Sequence, residues 1–333
     1  MGEGVNRRLR EGWGPCKTPA VKRSLFSCLL TVIAVSGMSV DGADSKKKSP
    51  QAWTDAEKAA AEDPDFAKQG EYAGNGQGVQ VAALGDGQFY VTRFEGGLPA
   101  DGWDGMKPET AVVSAGDLGK WTEGLEKVVR ESPTLGAKAP EGAVVLFDGE
   151  ANDLIKGEVK DGLLWAGSQT TGEYGDFTLH VEFRLPYKPK SPLSGQDRGN
   201  SGLYLQNRYE VQVLDSFGVL YEPEWAGIPL KSDVKQLCGS FYKFKAPDIP
   251  MARPPLTWQT YDIDFTAPKF YGDQKIADAK ITVKHNGVVI HDGVELPKGT
   301  GAGGGRKEVP RGPIIFQGHG NPVAYRNVWL LEK

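Results

Sequence analysis

From Ala143 onward the chain is written in short runs of alternating apolar and polar residues, each closed by Gly, Pro, Asp or Asn. The runs at residues 144–147, 163–166, 177–185, 202–205, 209–214, 259–265, 280–285, 288–291, 314–317 and 324–331 read as strands. Asn286-Gly287, between two of them, is the strongest short-range hairpin signal. Many short strands with almost no helix between them predict an antiparallel β-sandwich.

The upstream half is less regular. Residues 1–43 read as a secretion signal: Lys17, Lys22 and Arg23 precede an apolar run at 25–35 that is too short to span a bilayer. A secreted or periplasmic protein without a membrane span is expected, cleaved between residues 36 and 43. Residues 44–62 are a polar linker leading into a helix, predicted over 52–69 with a Thr54/Glu57 capping box. Residues 63–132 form a small β module, with strands at 79–83 and 88–94 joined at Gly85-Asp86-Gly87 and a short helix at 121–132. Residues 133–142 are a second linker, and residues 143–333 the sandwich. Three roles fit the module: capping a sheet edge, extending a groove, or attaching the protein elsewhere.

Several chemistries are excluded. The net charge is −4 and no basic stripe is interleaved with aromatics, so nucleic acid is not a partner. Cys16 and Cys28 fall in the leader, which leaves Cys238 without an internal disulfide partner and marks it as a small buried residue. Gly299, Gly301 and Gly304 spell G-x-G-x-x-G, but Pro297 stands just before them and Pro310 soon after, with no helical pattern, so they are read as a flexible loop.

Alternate residues of a strand share a face. In "YEVQVLD", Val211 and Val213 face a core while Glu210 and Gln212 face outward. In "TLHVEFRLP", Val181, Phe183 and Leu185 oppose His180, Glu182 and Arg184; in "IIFQGHGNP", Gln317 and His319 share a side. These residues are expected to meet on one outward face, rich in acids, amides and imidazoles. Such a face suits carbohydrate: carboxylates and amides fork between hydroxyls, and Trp165, Tyr204, Trp225 and Tyr242 can cover the apolar sides of sugar rings. Bland alternatives are a Glu182–Arg184 surface pair, worth under about 1 kcal/mol, and a structural pairing of Glu210 with Arg208 or Arg326. His285 and His291 are expected at the exposed end of the Asn-Gly hairpin.

The segments "VLFDGE", "GDFTLHVEFRLP", "GNSGLYLQNRYEVQVLDSFG", "WQTYDIDFTAPKF", "KITVKHNGVVIHDGVELP" and "GPIIFQGHGNPVAYRNVWLLEK" occur in order. On these, residues 143–333 resemble the domain of unknown function 1080 family, also called the 3-keto-disaccharide hydrolase domain. "DPDFAKQGEYAG" and "GGLPADGW" are similar to a small β module common upstream of it in secreted planctomycete-type proteins. The resemblance implies a concanavalin A-like (jelly-roll) sandwich and cleavage of glycosides already oxidised at C3, by elimination and then hydration. It implies an upstream partner, a separate sugar 3-dehydrogenase. The chemistry needs a base, an acid and a charge stabiliser. Glu210 or His319 is the candidate base, and Glu182 or Asp215 the candidate acid. Arg184, Asn200, Tyr204, Gln212, Gln317 and Trp225 are candidate substrate contacts. A divalent metal is a candidate cofactor, with Glu210, Gln212 and His319 as ligands. Two further readings stay open: direct hydrolysis by Glu182 and Glu210, and a non-catalytic lectin-like module. One departure from the family is the loop "PYKPKSPLSGQDRGN", longer than the usual join, which is expected to reshape or lid the site.

Overall fold

The computed structural model describes residues 50–333; the leader at residues 1–43, with Cys16 and Cys28, lies outside them. The small module is an antiparallel sheet of β1 (Gly70–Gly74), β2 (Gln77–Gly85), β3 (Gln88–Glu95), β4 (Glu109–Ser114) and β5 (Glu126–Val128), in the order β4-β3-β2-β1-β5. Asp86 and Gly87 turn between β2 and β3 at φ of 54° and 74°. Helix α1 (Ala56–Glu62) precedes the sheet. It is shorter than the 52–69 expected, because its N-cap is Asp55, which accepts from the Lys58 N–H at 2.8 Å, and Asp63-Pro64 ends it. The helix expected at 121–132 reduces to one turn, α2 (Gly119–Thr122), followed by β5.

The sandwich follows. Its first strands are β6 (Val144–Phe147), β7 (Ile155–Lys156), β8 (Val159–Lys160), β9 (Leu163–Trp165) and β10 (Ser168–Thr170). Then come β11 (Phe177–Arg184), β12 (Ser201–Leu205), β13 (Tyr209–Val213) and β14 (Trp258–Thr266). The β15–β16 hairpin (Lys269–Tyr271, Gln274–Ala277) leads to β17 (Ala279–His285), β18 (Val288–Leu296), β19 (Ile315–Phe316) and β20 (Ala324–Glu332). One sheet runs β13-β12-β19-β10-β7. The other runs β18-β17-β14-β11-β20-β9-β8, with β6 also paired to β20. All the pairings are antiparallel, as the alternating pattern predicts. Leu203, Val211 and Phe316 from the first sheet and Val181, Phe183 and Ile263 from the second share one core. Each such side chain contributes about 1.5–3 kcal/mol by leaving water. Among the described residues no helix is long and apolar enough to cross a membrane.

The small module docks on the sandwich through the long loop between β11 and β12. Tyr187 of that loop packs in the module's own core, and the Arg198 guanidinium donates to the Ala83 carbonyl at 2.9 Å. Leu193 and Phe217 meet Ala82 and Tyr90 in a further buried cluster. The loop read as a lid is thus mainly the module's seat.

Ser132 and residues 133–137 of the stretch read as linker lie as a strap across the outer face of the larger sheet. Ser132 and Thr134 hydroxyls bond the Thr260 hydroxyl at 2.7 and 2.8 Å, and the Ala137 carbonyl accepts from the Trp329 indole at 3.1 Å. His285 and His291 are buried rather than exposed. His285 bonds Gln259 Oε1 at 3.0 Å and His291 bonds the Gly239 carbonyl at 2.8 Å. Burial holds the two imidazoles down at about 3 and about 4, so they are neutral core residues. Cys238 is buried, and burial pushes its thiol up to about 11, which leaves it inert.

Candidate active site

Parity places Glu210 and Gln212 of β13 on the outer face of the smaller sheet, since Tyr209, Val211 and Val213 enter the core. On β12 the residues opposite them are Tyr204 and Gly202. Gly202 is needed there: a Cβ would stand 2.4 Å from Glu210 Oε1. The Tyr204 hydroxyl donates to Glu210 Oε2 at 2.6 Å. The Thr300 hydroxyl accepts from the Glu210 N–H at 2.8 Å, which pins the strand beneath the glycine loop. That loop is packed, not loose: a Cβ on Gly301 would lie 2.5 Å from Glu210 Oε2, and one on Gly303 2.2 Å from the Arg208 carbonyl. Its glycines serve close backbone approach.

These elements bound a cavity of ≈ 360 Å³ with Glu210 in its wall. Glu210 is only 2% exposed and no arginine meets it. Arg326 pairs instead with Glu182 at 2.6 Å, and Arg208 donates to the Gln206 and Lys307 carbonyls. Burial raises the Glu210 carboxyl to about 7, against the Tyr204 hydrogen bond and the Lys243 charge, which both lower it. A carboxyl that titrates near neutrality inside a cavity is suited to proton transfer.

Amides line the rest. Asn200 donates to Gln196 Oε1 at 3.1 Å, and the Gln212 amide shares its hydrogens among Gln196, Asn200 and the Gln236 carbonyl at 3.2–3.4 Å. Oε1 of Gln212 and Oε1 of Gln317 are buried without a partner; Gln317 lines the cavity, while Gln212 lies behind Gln196 and Asn200 and supports them. His319 stands at the mouth, exposed. Tyr242 and Lys243 close the far side. Lys243 holds φ of 60°, uncommon for a residue with a Cβ. For a divalent ion the pocket has one carboxylate, one imidazole and amide oxygens. Gln212, the third ligand expected, does not line that cavity, and among the described residues no group of three or more His, Cys, Asp or Glu is gathered, so the donors present do not fit the oxygen-rich cage a divalent ion takes.

The structure thus brings together Glu210, His319, Tyr204, Asn200, Gln212 and Gln317. It separates the others. Glu182 and Arg184 point outward from β11 in the larger sheet, on the opposite side of the sandwich, because Val181 and Phe183 fill the core between. Glu182 sits under the strap, accepting from the Gly136 N–H at 2.6 Å, Asn327 at 2.9 Å and Arg326 at 2.6 Å. Burial alone would raise it, but those bonds and His180 outweigh burial and hold it at about 2. The single outward face expected from the sequence is therefore two faces, and the Glu182–Glu210 pair needed for direct hydrolysis does not exist. Arg184 lies over the Trp258 ring at 4.9 Å. Asp215 is fully buried against Arg198 at 2.8 Å and anchors the β11–β12 loop. Trp165, on β9, donates to the Lys160 carbonyl at 3.4 Å, away from the pocket. Trp225 lines a different cleft. Gln196 and Lys243 went unread, because both sit in loops with no periodicity to mark them.

Residues 101–331 match the profile of a family described as 3-keto-alpha-glucoside-1,2-lyase-like domain. The match begins inside the small module, upstream of the boundary read at residue 143. Among solved structures, a protein named "putative glycosyl hydrolase" from Parabacteroides distasonis ATCC 8503 is 32% identical over 59% of this chain and 85% of its own, with a TM-score of 0.49. A second of the same name and organism is 17% identical over 62% of this chain and 98% of its own, with a TM-score of 0.41. No curated protein matches the chain.

Proposed function

From a chain that belongs to the 3-keto-alpha-glucoside-1,2-lyase-like family, and so to the glycoside hydrolases and lyases, we propose an enzyme that cleaves 3-keto-glycosides by elimination and hydration, with Glu210 as general base. The observation that carries this reading is a single buried carboxyl, raised to about 7 in a cavity without a second acid.

A ketone at C3 acidifies the C2 proton. Glu210 takes that proton, and the C2–H electrons become the C2–C3 double bond of an enolate whose charge rests on the C3 oxygen. Lys243 faces that charge. The enolate collapses, the C1–O bond breaks, and His319 at the mouth supplies the proton to the departing oxygen. The proton on Glu210 exchanges with solvent, water adds at C1, and Glu210 then delivers a proton to C2, which leaves a free 3-keto sugar. Gln317 and Asn200, which line the cavity, bond the sugar hydroxyls and fix the ring, with Gln212 holding Asn200 from behind. The substrate arises by oxidation of an ordinary glycoside, the work of a separate sugar 3-dehydrogenase, and the secretion signal expected at residues 1–43 supports a reaction outside the cytoplasm.

The test is turnover of a 3-keto-disaccharide beside its unoxidised parent, in heavy water, with and without chelator. Cleavage of the keto form alone, with deuterium at C2 of the product, is expected. Cleavage of the parent at a similar rate would overturn the reading. Loss of activity with chelator would assign the metal.

A further inference from the structure

The motif "GGLPADGW" plays no part in the Glu210 pocket. Its backbone is folded back tightly on itself: Leu98 bridges both Asp101 and Gly102, and a Cβ on Gly97 would stand 2.1 Å from the Asp101 carbonyl. Such a loop presents its last residue, Trp103, in a fixed place. The indole N–H donates to the Met106 carbonyl at 3.0 Å and the ring meets Phe94 edge-on at 5.3 Å.

Opposite stands Trp225, on a short 3-10 turn, Pro223–Trp225, of the sandwich's loop region. The module also holds this turn: the Thr110 hydroxyl donates to the Trp225 carbonyl at 3.4 Å, Tyr90 donates to the Ala226 carbonyl, and a Cβ on Gly227 would meet Thr110 Oγ1 at 2.1 Å. Both tryptophans line a cavity of ≈ 380 Å³, together with Tyr221 and the carboxylate residues Asp104, Glu222 and Asp248. It shares no lining residue with the Glu210 pocket.

We propose that this cleft is a second carbohydrate site, one that takes a neutral oligosaccharide and that the small module builds. Flat indole faces complement the C–H faces of pyranose rings, through many weak dispersion contacts. Rim carboxylates accept from the outward hydroxyls, and three of them together disfavour an anionic ligand. Lys245, bonded to Asp248, is the cation at this rim. Apolar walls with a few polar groups at the edge are the usual form of a small-ligand site.

The experiment is calorimetric titration of the full chain with cellotetraose, maltotetraose and laminaritetraose in turn. At least one is expected to bind. Trp225→Ala and Trp103→Ala should each weaken that binding tenfold or more, while Gly301→Ala, which fills the other pocket, should leave it unchanged. Melting temperatures identify any variant that fails to fold; Trp225, half-buried on its turn, and the double change Asp104→Asn with Glu222→Gln keep the test independent of Trp103. No binding by any of the three, or binding that survives Trp225→Ala, overturns the proposal. The result does not depend on whether a 3-keto-glycoside is cleaved.

Discussion

Tyr204 gives its phenolic hydrogen to Oε2 of Glu210 at 2.6 Å, across the β12–β13 pair. The bond favours the ionised carboxylate, yet burial still leaves Glu210 at about 7. The pocket thus holds a carboxyl that titrates near neutrality and is fixed in orientation.

Glu210→Gln should lower kcat on a 3-keto-disaccharide by about 10²–10⁴-fold. In the wild type, kcat/KM should rise with pH through about 7 as Glu210 loses its proton. Stability runs the other way. A carboxyl raised from 4.5 to about 7 on folding favours the folded state below pH 4.5, and that contribution is lost as pH rises through 7. The cost of ionising it in place is roughly 3 kcal/mol. Glu210→Gln should therefore melt higher than wild type at pH 8, by calorimetry, and show little difference at pH 4.

Lys243→Met removes the positive charge that helps hold the Glu210 carboxyl down. The acid limb of the kcat/KM profile should move to higher pH and kcat should fall about tenfold. A role confined to packing would leave the pH profile where it is, so the profile decides.

Glu182→Gln tests the opposite face. Removing the charge of buried Glu182, whose partner Arg326 is partly exposed, should cost about 1–2 kcal/mol, with a few degrees lost in Tm, while kcat stays within about twofold. The Glu182 carboxyl lies below its usual value, at about 2, so it stabilises the fold above pH 4.5 and stops doing so as pH falls from 4.5 toward 2. The wild type should lose stability over that window and the variant should lose less. A large fall in kcat would restore Glu182 to the chemistry.

Gly301→Ala places a methyl 2.5 Å from Glu210 Oε2 at φ of 52°. The backbone strain should cost about 1–2 kcal/mol, well short of unfolding. Turnover should fall at least tenfold by loss of room at the base, visible as weaker competitive inhibition by the product sugar.

Strand parity was legible because a period of two is local. Glu182 and Glu210 were each correctly assigned to an outward face. Which sheet each strand joins depends on pairing between segments far apart in the chain, and nothing in "HVEFR" or "YEVQV" alone separates the two. His285 was misread where parity was available: it follows Ile281 and Val283 at steps of two and shares their inward face. Gln196 and Lys243 reach the pocket from loops, where no period exists. The glycines at 299–304 looked like slack because the reason for them, the Arg208 backbone and the Glu210 carboxylate pressed against them, lies more than ninety positions earlier in the chain.

The loop between β11 and β12 grips the module with Arg198 and reaches the pocket with Gln196 and Asn200. Five residues therefore carry both the attachment of one sheet and the floor of another's cavity. A recombination that exchanged the upstream module for a foreign one would disturb the active site at the same stroke. Any lineage that keeps the chemistry is bound to inherit the two parts together, and changes in specificity should accumulate as paired substitutions on either side of that loop.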